Sequence, residues 1–165
     1  MRKPHVSITA AMALLLSTLA GAAPAGAADT HASGPAQQSR EEANKRFVIE
    51  FYNKALNDKD FEAASKYLGD KYVQHNPTAA DGAEGLRGFI DFLKARFPKQ
   101  HNEIKHAYAD GDFVILHVHS VREPGTLGRA IVDIFRLENG KVVEHWDVIQ
   151  DITDPAEAKN TNGMF

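Results

Sequence analysis

The sequence predicts an α+β fold in which three helices come first and a run of antiparallel strands follows. Three observations carry that reading. Apolar residues recur at helical spacing in two stretches: Phe47, Val48, Phe51, Tyr52, Ala55 and Leu56, then Leu86, Phe89, Ile90, Leu93 and Phe97. From about residue 101 the period falls to two, the signature of a half-buried strand. Asp110-Gly111 and Asn139-Gly140 each suit a two-residue hairpin turn, whose central positions need positive φ. Three helices laid on a curved sheet enclose a cone with one open end, a shape suited to a small-molecule pocket.

The elements follow in order. Arg2 and Lys3 precede the apolar run VSITAAMALLLSTLAGAA, and small residues AGA follow at 25–27. That order is the pattern of a secretory signal, and the run is short for a spanning helix, which needs about 20 residues. Residues 1–28 are therefore expected to be a signal peptide on a secreted or periplasmic protein, with no membrane association after cleavage. Residues 29–38, small and polar, read as a disordered lead-in. The domain occupies 39–151, and 152–165 form a polar tail. Ser39 and Glu42 form a capping box that opens the first helix. Asp60 caps a short second helix that Gly69 ends. A turn-rich connection spans 71–85, and Pro98 stops the third helix. Strands are expected at 102–109, 113–122, 130–137 and 142–149.

Composition excludes several function classes. There is no cysteine, so thiolate metal sites, disulfides and cysteine nucleophiles are absent. Loss of Arg2 and Lys3 with the signal takes the formal charge from −3 to −5. A mildly acidic chain with scattered charge offers no footprint for nucleic acid.

Hairpin turns set register, and register sets faces. Two-residue turns at 110–111 and 139–140, with Arg122 assumed opposite Ala130, place His119 across from Asp133 and Asp133 across from Trp146. One face then carries Ile104, His106, Tyr108, Ile115, His117, His119, Asp133, Phe135, Glu144 and Trp146. The other carries Val114, Leu116, Val118, Val132, Ile134, Val143 and His145. That second face is apolar enough to need a partner, which points to a homodimer through the sheet.

Two chemistries compete for these residues. In GDFVILHVHSVRE, His117, His119 and Glu123 resemble the first metal-binding motif of cupins, a donor set suited to Fe, Mn, Ni or Zn. No second motif follows to complete it, so no metal is assigned. The other chemistry is acid–base. Asp133 interrupts the apolar strand AIVDIFRL, where a carboxylate is costly unless paired, and His119 is its expected partner.

YVQHNPTAADGAEGLRGFIDFL and VDIFRLENGKVVEHWDVIQ together resemble the SnoaL-like polyketide cyclase branch of the nuclear transport factor 2-like superfamily, over roughly residues 42–151. The resemblance implies a cone-shaped α+β barrel and a cofactor-free intramolecular aldol condensation. It implies Asp133 as general acid/base, supported by a histidine on the neighbouring strand, the place His119 would fill. His75, Trp146, His117 and Phe135 would bind a small apolar carbonyl compound. The reaction class is aldol-type cyclisation or isomerisation. The alternative is a non-catalytic binding module of the same fold.

Overall fold

The structure, a computed structural model, describes residues 34–165. The signal peptide expected at 1–28, and the lead-in as far as residue 33, lie outside the described residues. Among the described residues no helix is long and apolar enough to cross a membrane.

Helix α1 spans Pro35–Tyr52, with Gly34 as N-cap and proline in its first turn. Residues 35–38 are thus helical rather than part of a lead-in, and the Ser39–Glu42 pair lies inside the helix instead of capping it. Proline at the first position is already set to helical φ, which moves the start one turn earlier. Val48, Phe51 and Tyr52 are its buried face. A π-type turn, Asn53–Asn57, ends it. Asp60 caps α2 (Phe61–Ala64) as expected, its carboxylate accepting from the Ala63 N–H at 3.0 Å. Helix α3 spans Gly82–Arg96 and buries Leu86, Ile90 and Leu93.

Five strands form one mixed sheet: β1 (Leu68–Gln74), β2 (His101–Asp110), β3 (Phe113–Val121), β4 (Arg129–Glu138) and β5 (Lys141–Asp151), in spatial order β1-β5-β4-β3-β2. The last four are antiparallel neighbours. β1 is the element that the 71–85 loop reading missed, and it runs parallel to β5. Gly69 belongs to this strand and does not cap α2. A β-carbon there would lie 2.7 Å from Val143 Cγ1, so the two strands approach closely because residue 69 has no side chain.

Register departs from expectation in three places. The β2–β3 turn is Gly111-Asp112, one residue later than expected, with Asp110 paired to Phe113 and Gly111 at φ +59°. Across β3 and β4, His119 pairs with Ala130, His117 with Val132, and Leu116 with Asp133. The assumed pairing of Arg122 with Ala130 is therefore wrong by three residues. An odd offset exchanges the faces. The β4–β5 turn is as expected, with positive φ at Asn139 (53°) and Gly140 (71°) and Leu137 opposite Val142. Immediately beyond it the register slips, so that Arg136 meets Glu144 and Asp133 meets Asp147. A bulge of this kind leaves consecutive side chains, here Val142 and Val143, both buried.

Of the face assigned to a second subunit, Val114, Leu116, Val118 and His145 turn inward beneath the helices, while Val132 and Ile134 on β4 stay on the opposite face. Val114, Leu116, Val118, Phe135 and Leu137 pack against Val48, Phe51, Tyr52, Leu86 and Ile90 in a single core. The opposite face leaves Tyr108, Phe113 and Val148 exposed.

Gly85 sets how the third helix begins. A β-carbon there would lie 2.0 Å from the Ala80 carbonyl oxygen, a backbone atom that cannot swing aside. An Ala substitution inside a helix ordinarily stabilises by about 1 kcal/mol. Here Gly85→Ala should instead cost about 1–3 kcal/mol, read as a lower midpoint in urea melts.

Candidate active site

The core leaves a cavity of about 210 Å³ between the helices and the inner face of the sheet. Phe51, Tyr52, Leu86, Phe89, Ile131 and Phe135 provide apolar wall. Asp133, His145 and Asp147 supply ionisable groups, joined by Tyr72, Gln74 and Asn76. Asp133 is 4% exposed and His145 7%.

Asp133 and His145 are bonded directly, Oδ1 to Nε2, at 3.0 Å. The proton on that bond can be placed from the surroundings. The Asn76 backbone N–H donates to Gln74 Oε1 at 2.9 Å, which fixes the orientation of the Gln74 amide, since a backbone N–H needs an acceptor. The same oxygen lies 2.9 Å from His145 Nδ1. Nδ1 must therefore carry a hydrogen and donate. That leaves Nε2 to share a single proton with Asp133: the pair is either a carboxylic acid beside a neutral imidazole or a carboxylate beside an imidazolium. Burial pushes the Asp133 carboxyl above the usual carboxylate range, and the hydrogen bond and charge of His145 oppose that rise. Asp133 Oδ2 makes no full hydrogen bond among the described residues, although the Tyr52 hydroxyl is near enough to favour the carboxylate.

Strand alternation along the end of β1 builds the rest. Gln74 and Asn76 point inward. Asn76 Oδ1 accepts from the Thr78 N–H at 2.9 Å, so its amide nitrogen faces Asp147, reaching both carboxylate oxygens at 2.9 and 2.8 Å. Asp133, His145 and Asp147 are the one group among the described residues whose potential ligand atoms all lie within 4.8 Å of one another. Hydrogen bonds already engage both imidazole nitrogens and both Asp147 oxygens, and a cation would have to displace them. The Tyr52 and Tyr72 phenols are raised, first by burial and next by the Asp133 charge. Both stay protonated and can donate.

The residues singled out by sequence divide sharply. Asp133 and Phe135 line the cavity as expected. His119, His117, Trp146 and His75 do not. His117 and His119 lie on the outer face, where the Phe165 ring sits 5.1 and 5.0 Å from their rings, and His119 Nε2 bonds to the Leu127 carbonyl at 2.8 Å. Among the described residues neither belongs to a group of three potential metal ligands. His75 stacks on Trp146 at 4.4 Å and reaches Glu144 at 2.8 Å. Glu144 also binds Arg136 at 2.6 Å, and its carboxyl is held below the usual range by His75 first and Arg136 next. His75 faces out because it alternates with the inward Gln74 and Asn76, and for His117, His119 and Trp146 the physical reason is shared. One slipped register and one bulge invert the faces of β3 and β5 relative to β4. The partner of Asp133 is His145, and Gln74 and Asn76 were hidden in what read as loop.

Comparison with known proteins follows this geometry. A family model described as a SnoaL-like domain matches residues 48–145. The chain belongs to the SnoaL-like domain family. Solved structures share the fold. TsrD from Streptomyces laurentii is 21% identical, covering 65% of this chain and 88% of its own, with a TM-score of 0.55. A proposed polyketide cyclase from Bacillus cereus is 19% identical, covering 68% and 77%, with a TM-score of 0.59. An NTF2-like protein from Cytophaga hutchinsonii is 19% identical, covering 65% and 89%, with a TM-score of 0.54. No curated protein matches the sequence.

The raised Asp133 predicts a pH signature in stability. The native state holds this proton more tightly than the unfolded chain, whose aspartates titrate near about 3.9. Stability from this group is complete below about pH 4 and is lost as pH rises through the elevated native value. Asp133→Asn removes the titration. In urea melts the variant should gain on the wild type across that window and hold level above it. A stability difference constant from pH 3 to 8 would contradict a burial-raised carboxyl.

Proposed function

We propose that this SnoaL-like protein is a cofactor-independent acid–base enzyme acting on a small carbonyl compound, catalysing an aldol-type cyclisation or an isomerisation. The observation that carries this reading is the buried Asp133–His145 pair, sharing one proton in a cavity with aromatic and aliphatic walls, with Asp133 Oδ2 aimed at no full hydrogen-bond partner among the described residues. The family match supports the reaction class.

The chemistry follows from the pair. In its ionised form, Asp133 takes a proton from the carbon α to the substrate carbonyl onto Oδ2, while His145, protonated at both nitrogens, steadies Oδ1 through its Nε2–H. Charge moves to the carbonyl oxygen as the enolate forms. A Tyr52 or Tyr72 O–H stabilises that oxygen without being ionised itself. The enolate carbon then attacks a second carbonyl of the same molecule, whose oxygen recovers the proton from Asp133, or, where the substrate carries a β,γ double bond, the dienolate takes that proton back from Asp133 at its γ carbon. The first path is an aldol closure and the second an isomerisation. Water exclusion by Phe51, Leu86, Phe89 and Phe135 strengthens each of these interactions. His145 takes the supporting role first assigned to His119.

Proton exchange tests this without knowledge of the natural substrate. Wild-type protein in D2O should speed deuterium incorporation α to the carbonyl in at least one member of a ketone panel, followed by NMR. Asp133→Asn should lower the rate by on the order of 100-fold or more. His145→Gln should lower it by more than tenfold, and His119→Gln by less than about twofold. Equal losses from the two histidine substitutions would defeat the assignment. Absence of exchange across the panel, with ligands held equally by wild type and Asp133→Asn, would identify a binding module instead.

A further inference from the structure

The cavity has a second polar end, which the acid–base pair does not use. Arg122 and Arg129 both line it. Arg129 stands on β4 four residues from Asp133, about 13 Å away at roughly 3.3 Å per residue, with its side chain on the same inner face. Arg122 lies just past the end of β3, held at 5.0 Å over the Phe97 ring. Ser120, 2% exposed, sits between them and is paired with Arg129 in the sheet.

Two guanidinium groups in one partly enclosed space repel each other. Burial, then the charge of Arg129, makes Arg122 easier to deprotonate than an ordinary arginine. Among the described residues neither has a carboxylate within 4.0 Å, although Asp151 is opposite Arg129 in the ladder and Glu123 follows Arg122 in sequence. Arg46 and Arg96 also lack such a partner among the described residues, but both are exposed, whereas Arg122 and Arg129 are half-buried and line the cavity.

We infer that Arg122 and Arg129 form an anion subsite, and that the substrate is a carbonyl compound carrying a carboxylate at the end opposite its reacting carbon. This rests on the acid–base reading for which end reacts, and it replaces the expectation of a purely apolar ligand. Planar guanidinium forks match a carboxylate in geometry and charge. The arrangement also sets orientation. An anion is drawn to the arginines and repelled by Asp133 and Asp147, so the carbonyl end is the one delivered to the acid–base pair.

Calorimetric titration of the full protein with 4-acetylbenzoate and with its methyl ester separates charge from shape. The carboxylate should bind wild type at least tenfold more tightly than the ester. Raising salt from 50 to 500 mM should shrink that preference. Arg129→Gln and Arg122→Gln should each reduce it to threefold or less, with Arg129→Lys intermediate and thermal melts confirming a folded protein. Asp133→Asn should keep or increase it. Equal binding of acid and ester by wild type, an acid preference untouched by both arginine substitutions, or no binding of either probe would each overturn the inference. The readout is binding, so it stands if Asp133 proves non-catalytic. Conversely, Asp133-dependent deuterium exchange with no acid preference would sink the anion subsite alone.

Discussion

The site depends on one hydrogen bond, between Asp133 Oδ1 and His145 Nε2, made where water cannot substitute for either partner. A carboxyl on that wall is unfavourable by itself, because burial opposes its charge. The imidazole relieves that cost only if its other nitrogen is occupied. Gln74 occupies it, Asn76 orients Gln74, and Thr78 orients Asn76. The chain of dependence runs from a loop N–H to the proton that would do chemistry. Phe135 packs on the imidazole at 4.7 Å and helps keep its plane fixed.

Much of the fold was legible because it is written in periodicity. The α1 and α3 faces, the Asp60 cap, the stop at Pro98 and the Asn139-Gly140 turn follow from local rules that tertiary contacts did not overturn. Asp133 and Phe135 were placed in the cavity correctly because they share a face whatever their neighbours do. What failed was everything that required counting across strands. Alternation has period two, so any odd error reverses every later assignment. The seven-residue connection between β3 and β4 offered no turn signal strong enough to settle its register. The slip beside Val143 leaves no mark in the sequence except two consecutive valines. β1 was missed for a different reason. LGDKYVQ is short and carries glycine and charge, and it is a strand because β5 pairs with it.

The reversal explains why the most conspicuous histidines lie away from the cavity. His117 and His119 attract notice by their spacing, and His75 and Trp146 by their rarity. On the outer face they make contacts of an ordinary kind: ring against ring, and a carboxylate shared between His75 and Arg136. A residue's chemical potency is a poor guide to its role unless its face is known. In VEHWD, the less exceptional His145 and Asp147 face the cavity, and Glu144 and Trp146 face away.

β1 lies at the edge of the sheet and is hydrogen-bonded to β5 alone. Edge strands fray at lower free energy than central ones. If the end of β1 lifts, Gln74 leaves His145, the tautomer is no longer imposed, and the imidazole is free to turn its other nitrogen toward the cavity. The hydrogen on His145 Nδ1 is thus held in place from an edge strand, and its placement lasts only as long as the end of β1 stays paired with β5.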